Sequence, residues 1–287
     1  MLSLHTNNAA LSAQNSISKT QNSLSTSMTR LSTGYRINSA MDDAAGLQIA
    51  TRLNAQTSGM AMAMRNTQNS ISMMQTAEGS FNEVTNMLVR MKDLATQAAD
   101  ASSTTADRTG MQSEFDALGT ELSNVMNNTT FGGSKLLKGG TIATAMTFQI
   151  GASSAETMTV DLSAQVATTL EASLTAASSN YLAPNVAGTE LATGTSASAM
   201  IDKLSTAISD VGTVRSALGA AGNRLDHINN NLSNIGTNTK AATGRIMDVD
   251  YAAESSNMTS NQMLLQAGTA MLKQSNSMSS MVMSLLQ

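Results

Sequence analysis

The sequence predicts a mainly α fold. It is read as a long antiparallel helical hairpin and coiled-coil bundle built from the N- and C-terminal halves, with a short β-hairpin and loop region at the distal end. Three observations predict it. Proline occurs once in 287 residues, at Pro184. An interior proline costs a helix about 3 kcal/mol, so its near-absence permits helices far longer than the average of about 11 residues. Apolar residues recur at spacings of three and four in both halves, whereas turn residues and two-residue alternation occur only in the middle.

The first helical stripe is Ile17, Leu24, Met28, Leu31 and Tyr35, with Gln21 as its one polar member. Its 3.5-residue period is that of a helix seated against a partner. Inner helices follow. Phe81, Val84, Leu88, Met91, Ala95 and Ala98 continue a stripe begun by Ile71, Met74 and Ala77, and a shorter helix carries Phe115, Leu118, Leu122 and Val125. Asn127-Asn-Thr-Thr-Phe-Gly-Gly and Lys138-Gly-Gly then read as turns. Alternation in Thr147-Phe-Gln-Ile-Gly and Thr157-Met-Thr-Val-Asp-Leu, around Ala152-Ser-Ser-Ala-Glu, predicts a hairpin. From Val166 to Ser198 the chain is rich in Ala, Thr, Ser and Gly, and an exposed loop or small cap is expected there. Helix resumes with Leu204, Val211, Leu218, Leu225 and Leu232, a seven-residue repeat that implies a supercoiled partner helix. The last helix carries Leu264, Ala267, Met271, Met278, Met281 and Leu285, interrupted by Gln274. Asn and Ser compete with helical hydrogen bonds, so the two outer helices are expected to stay frayed until neighbouring copies cover them. Their apolar faces are then association surfaces.

Composition narrows the function classes. Charged residues make up 13%, about half the usual share of roughly 25%. With no cysteine there is neither a disulfide framework nor a thiolate metal site. A net charge of −4 without a basic patch argues against nucleic acid. No apolar run approaches the roughly 18 residues of a membrane span. The opening residues lack the basic and apolar regions of a cleaved signal, so residence in the cytosol or export by another route is expected. Catalysis finds no support. His5 and His227 are the only histidines, no Gly-x-Ser-x-Gly elbow or phosphate loop occurs, and the adjacent Asp42 and Asp43 diverge on a regular backbone. No catalytic residue, metal or cofactor is expected.

Several runs carry a resemblance. They are Ser3-Leu-His-Thr-Asn-Asn, Arg30-Leu-Ser-Thr-Gly-Tyr-Arg-Ile-Asn-Ser-Ala-Met-Asp-Asp-Ala-Ala-Gly-Leu-Gln-Ile-Ala and Ile71-Ser-Met-Met-Gln-Thr-Ala-Glu-Gly. Later come Arg224-Leu-Asp-His-Ile-Asn-Asn-Asn-Leu, Asp248-Val-Asp-Tyr-Ala-Ala-Glu and Gln266-Ala-Gly-Thr-Ala-Met-Leu. Together, and in this order, they closely resemble bacterial flagellin over roughly the first 165 and last 90 residues. The Met-rich character and short middle are more similar to lateral, swarming-type members than to polar-filament ones.

The resemblance implies a secreted structural subunit that polymerises with copies of itself into the extracellular flagellar filament. It also implies export of the unfolded chain with a dedicated chaperone, assembly under a cap protein, and contact with junction proteins. Residues 1–44 plus 241–287 would form the inner coiled coil, with Ile17, Leu24, Met28, Leu31, Leu264, Met271, Met278 and Leu285 in the filament core. Residues 45–165 plus 199–240 would form the outer bundle, and 166–198 a short surface-exposed segment. Arg30, Arg36, Asp42, Asp43 and Arg52 cluster at the junction of the two. They read either as a solvated turn with helix-dipole compensation or as intersubunit contacts that set packing register. Leu88-Val-Arg-Met-Lys-Asp-Leu-Ala-Thr-Gln resembles the segment that flagellins present to the vertebrate toll-like receptor, which implies contacts by Arg90, Leu94, Gln97 and Glu114. Val89, Met91 and Thr96 depart from the commonest family version. The nearest rival reading is a hook–filament junction protein. A membrane-active factor fits poorly, since Lys273 is the only basic residue of the last helix. The methionines are read chiefly as adaptable aliphatic filling.

Overall fold

The computed structural model describes residues 7–285, and side chains through residue 278. Its Cα positions divide into two compact units, Met1–Thr57 with Thr237–Gln287, and Ser58–Gly236. The long helices α2 (Ala44–Ala99) and α6 (Gly194–Met247) contribute to both. Two of the chain's helix starts carry reciprocal side-chain caps. Thr104 forms a reciprocal capping box with Asp107 at α3 (Thr105–Asn128), and Thr193 with Ser196 does the same at α6.

The unit 58–236 has one large apolar core and a smaller cluster of Met60, Ala63 and Leu232. On α2 the expected stripe from Ile71 to Ala98 is buried throughout, and Phe81, Val84, Leu88 and Met91 are fully excluded from solvent. The heptad leucines and valine of α6, Leu204, Val211, Leu218, Leu225 and Leu232, are buried likewise. The two helices run antiparallel, tied at one point by Arg215 donating to Glu78 at 3.3 Å and at another by Leu232 packed with Met60 and Ala63. From α3, Phe115, Leu122 and Met126 enter the large core.

After α3 a minimal ladder joins β1 (Thr130–Phe131) to β2 (Ser134–Lys135). The predicted hairpin forms as β3 (Ala145–Gln149) antiparallel to β4 (Thr157–Asp161), with Met146 opposite Val160 and Phe148 opposite Met158. Met146, Met158 and Val160 point into the core while their neighbours face out, which is the two-residue period that announced the hairpin.

The segment 166–198 differs from expectation. A π-helical stretch, Ala164–Leu170, runs into α4 (Glu171–Ala177), and α5 (Ser179–Leu182) follows. Val166, Leu170, Leu174, Ala177 and Tyr181 are all buried, as are Leu191 and Ala197. Their spacing of four, four, three and four is a helical stripe, diluted by Ala, Thr and Ser until its amphipathicity is faint. Polar bonds hold the return strand. Asn180, wholly buried, donates to Asp116 at 3.0 Å and to the Val186 carbonyl at 2.7 Å, and accepts from the Val186 amide. Burial pushes the Glu190 carboxyl up, but hydrogen bonds from the Ser179 hydroxyl and amide, its own amide and Gln112 together hold it below its ordinary range. Only residues 182–187 form an exposed stretch, including Leu182 and Val186.

Candidate functional site

The outer helices meet in the other unit. Helix α1 (Asn8–Thr33) opens with Asn7, whose Oδ1 accepts from the Ala10 amide at 3.1 Å. It closes at Gly34, whose φ of 76° is a left-handed cap natural to glycine. Helix α7 (Tyr251–Leu285) opens with Asp250, whose carboxylate accepts from the Ala252 and Ala253 amides. The helices run antiparallel. At one end Asn7 donates to the Ser275 carbonyl at 3.2 Å, and at the other Gly34 sits against Tyr251. Between these ends Ile17 lies over Gly268, where an added Cβ would stand 2.9 Å from Ile17 Cγ1.

Which faces are covered is the central finding. On α1 the shielded seam is Ala10, Ala13, Ile17, Thr20, Leu24, Ser27 and Leu31, with Arg30 beside it; on α7 it is Glu254, Met258, Asn261, Leu265, Gly268, Leu272 and Ser275. Both sets alternate spacings of three and four. Ile17, Leu24 and Leu31 therefore occupy the expected seam. Met28 does not, being 54% exposed, and Leu264, Met271 and Met278 are 59%, 69% and 55% exposed. The side chain of Leu285 lies outside the described residues. Two neighbouring heptad sets on α7 are both apolar, so periodicity alone could not tell which one α1 covers. Leu265 and Leu272, one residue along from the expected set, fill that place. Each outer helix supplies cover for one face of the other, and both are helical over the described residues.

The polar junction is partly assembled. Arg30 approaches Asp42 at 3.9 Å and Glu254 at 3.7 Å, while its Nε is buried without a hydrogen-bond partner. Asp42 binds back to its own turn, accepting from the Ser39 and Asn38 amides and the Ser39 hydroxyl. Those backbone bonds, foremost from Ser39, hold its carboxyl below the ordinary 3.8. Asp43 caps α2, accepting from the Gly46 amide at 2.8 Å. Arg36 donates from its side chain to the Ile246 carbonyl at 2.9 Å and from its amide to Met247, and Tyr35 pairs with Asp248 across a short antiparallel bridge. Arg52 is exposed and has no side-chain partner among the described residues. So four of the five residues clasp the breaks between helices, and Arg52 stands apart. Glu254, missed as a member, lies more than two hundred residues from Arg30 in sequence; only its place in the Asp248–Glu254 run hinted at it.

In the other unit, Arg90 and Glu114 form an exposed ion pair, Nη2 to Oε1 at 2.6 Å, and Gln97 is exposed. Leu94 departs from its expected role as a contact. At 2% exposure it belongs to the bundle core, and Val89, 44% exposed, is the apolar residue beside Arg90 at the surface. His227 is exposed. Among the described residues no helix is long and apolar enough to cross a membrane.

Comparison with known proteins follows the same two ends of the chain. The bacterial flagellin N-terminal helical region matches residues 4–141, and the C-terminal helical region residues 201–286. The chain is similar to polar flagellin A of Vibrio parahaemolyticus, at 33% identity over 378 aligned positions and 99% of each chain. It is also similar to a flagellin of Halalkalibacterium halodurans, at 36% identity over 284 positions and 99% of each. The 378 positions exceed this chain's 287 residues, so the Vibrio relative carries insertions. Among solved structures, a flagellar hook-associated protein from Vibrio parahaemolyticus shares the fold at a TM-score of 0.58. It is 17% identical and covers 72% of this chain and all of that one.

Proposed function

The chain belongs to the bacterial flagellin family, whose members are the structural subunits of the flagellar filament, and we propose that it polymerises through the stripe of α7 that α1 leaves bare. The exposed heptad set of Leu264, Met271 and Met278 carries this reading. Burying such side chains contributes about 1.5–3 kcal/mol each, and a helical polymer repeats the contact in every subunit. Ile17, Leu24 and Leu31 act one step earlier, holding α1 on α7 within the subunit. Arg30, Arg36, Asp42 and Asp43 fix the junction between helices. The inner coiled coil of residues 1–44 with 241–287, the outer bundle of 45–165 with 199–240, an export chaperone, a cap and junction proteins belong to the same reading. The rival assignment as a junction protein has a likeness of fold alone behind it.

The test is seeded polymerisation of the purified protein, followed by electron microscopy. The unaltered chain is expected to extend seeds into filaments. Met271→Glu is expected to leave the circular dichroism of the monomer unchanged and to stop extension. Filaments of normal length from Met271→Glu would remove the reading.

A second reading rests on the exposed Arg90–Glu114 pair with Gln97 nearby. We propose that Val89, Arg90, Gln97 and Glu114 form the surface offered to the vertebrate receptor for flagellin, since an arginine beside an exposed valine suits a small interface. Arg90→Ala monomer is expected to lose about tenfold or more in potency on receptor-reporter cells, equivalent to ~1.4 kcal/mol. Full potency would refute the assignment.

A further inference from the structure

Sulfur in this chain is confined to thioethers: there are 22 methionines and no cysteine. The methionines span a range of burial, and two groups stand at its ends. Met60, Met74, Met91 and Met126 are 3% exposed or less, sealed in the cores. Met28 on α1 and Met263, Met271 and Met278 on α7 are each more than half exposed. Two of these, Met271 and Met278, sit seven residues apart on the bare stripe itself, continuing the line of Leu264. Met271 and Met278 are thus open to solvent in the free subunit and placed where a neighbour must cover them. Oxidation follows access, and a sulfoxide turns a flexible apolar side chain into a polar one that disrupts Met-rich contacts.

We propose that Met28, Met263, Met271 and Met278 form an oxidation-sensitive site through which peroxide blocks polymerisation of the free subunit. This rests on the assembly reading above. A sulfur lone pair attacks one peroxide oxygen and the O–O bond breaks. The sulfur gains an S=O bond and loses two electrons, and the departing hydroxide takes up a proton to leave as water. Enzymatic reduction of the sulfoxide reverses the block. Burying the new S=O dipole without a partner opposes association, and the penalty recurs at every site of every subunit. Once assembled, the stripe is covered and the sulfurs are shielded.

The test treats the full-length monomer with hydrogen peroxide, maps sulfoxides by peptide mass spectrometry, and then measures seeded extension. Oxidation is expected at the four exposed methionines, together with Met41 and Met62, before Met60, Met74 or Met91. The extension rate is expected to fall at least tenfold. A Met28→Leu, Met263→Leu, Met271→Leu, Met278→Leu variant should extend after the treatment at its own untreated rate, whatever that rate is. A Met41→Leu, Met62→Leu variant, which keeps the stripe sulfurs, should stay as sensitive as the unaltered chain. Undiminished extension by oxidised protein, or insensitivity of the Met41/Met62 variant, overturns the proposal alone. Equal oxidation of Met271 in monomer and preformed filament would instead show that the stripe is not covered, and the assembly reading would fall with it.

Discussion

Arg30 stands between two carboxylates and makes a hydrogen bond to neither, with Asp42 at 3.9 Å, Glu254 at 3.7 Å and a buried Nε unsatisfied. Its positive charge is held by electrostatics more than by geometry, and Glu254, only 8% exposed, is the less solvated partner. Glu254→Gln removes that charge and is expected to destabilise the helix junction by roughly 1–3 kcal/mol, read by chemical denaturation. The turn beside it should respond to acid. The Asp42 carboxyl sits lower in the folded chain than its ordinary 3.8, so its contribution is fully present above that value. It is lost as pH falls through the folded value, and amide exchange at Asn38 and Ser39 should accelerate there. Protection at those amides unchanged by protonation of Asp42 would contradict this. At this scale the sequence was informative about residue type and poor about pairing. Asp43 was legible as a charge beside a helix start, but its bond to the Gly46 amide was not. The contact of Arg30 with Glu254 was not, because nothing local in the chain joins residues so far apart.

Helix α7 shows what periodicity can and cannot deliver. Its helical character was plain, but Leu264 and Leu265, like Met271 and Leu272, are adjacent apolar residues. Apolar residues recur at seven-residue spacing in both sets, Leu264 and Met271 in one and Met258, Leu265 and Leu272 in the other. The deciding feature is Gly268, which admits Ile17 and thereby selects the covered face. The inner stripes of α2 and α6 were legible because each holds its spacing over a long run, from Ile71 to Ala98 and from Leu204 to Leu232. The stretch 166–198 erred in the other direction: Val166, Leu170, Leu174 and Tyr181 are spaced as a helix, yet small residues between them mimic a loop. Leu174→Ala is therefore expected to cost about 2–5 kcal/mol, as for a filled core site. A surface-loop position would change stability by less than about 0.5 kcal/mol in urea unfolding.

As a whole molecule the chain combines a unit with a large apolar core and a unit whose two outer helices each cover one face of the other. Its family and mainly helical class were legible from ordered motifs, a single proline and long apolar repeats. The division of labour between the two apolar stripes of α7 was not, since it depends on where α1 lies. That division is the central claim, and a matched pair of variants tests it most directly. Leu265→Asn and Leu264→Asn change neighbouring leucines in the same way. Hydrogen exchange along α1 in the monomer, measured beside pelleting of seeded filaments, is expected to separate them. Leu265→Asn should deprotect α1 in the monomer, whereas Leu264→Asn should leave that protection intact and abolish pelleting. Loss of monomer protection in both variants, or normal pelleting by Leu264→Asn, would contradict the account.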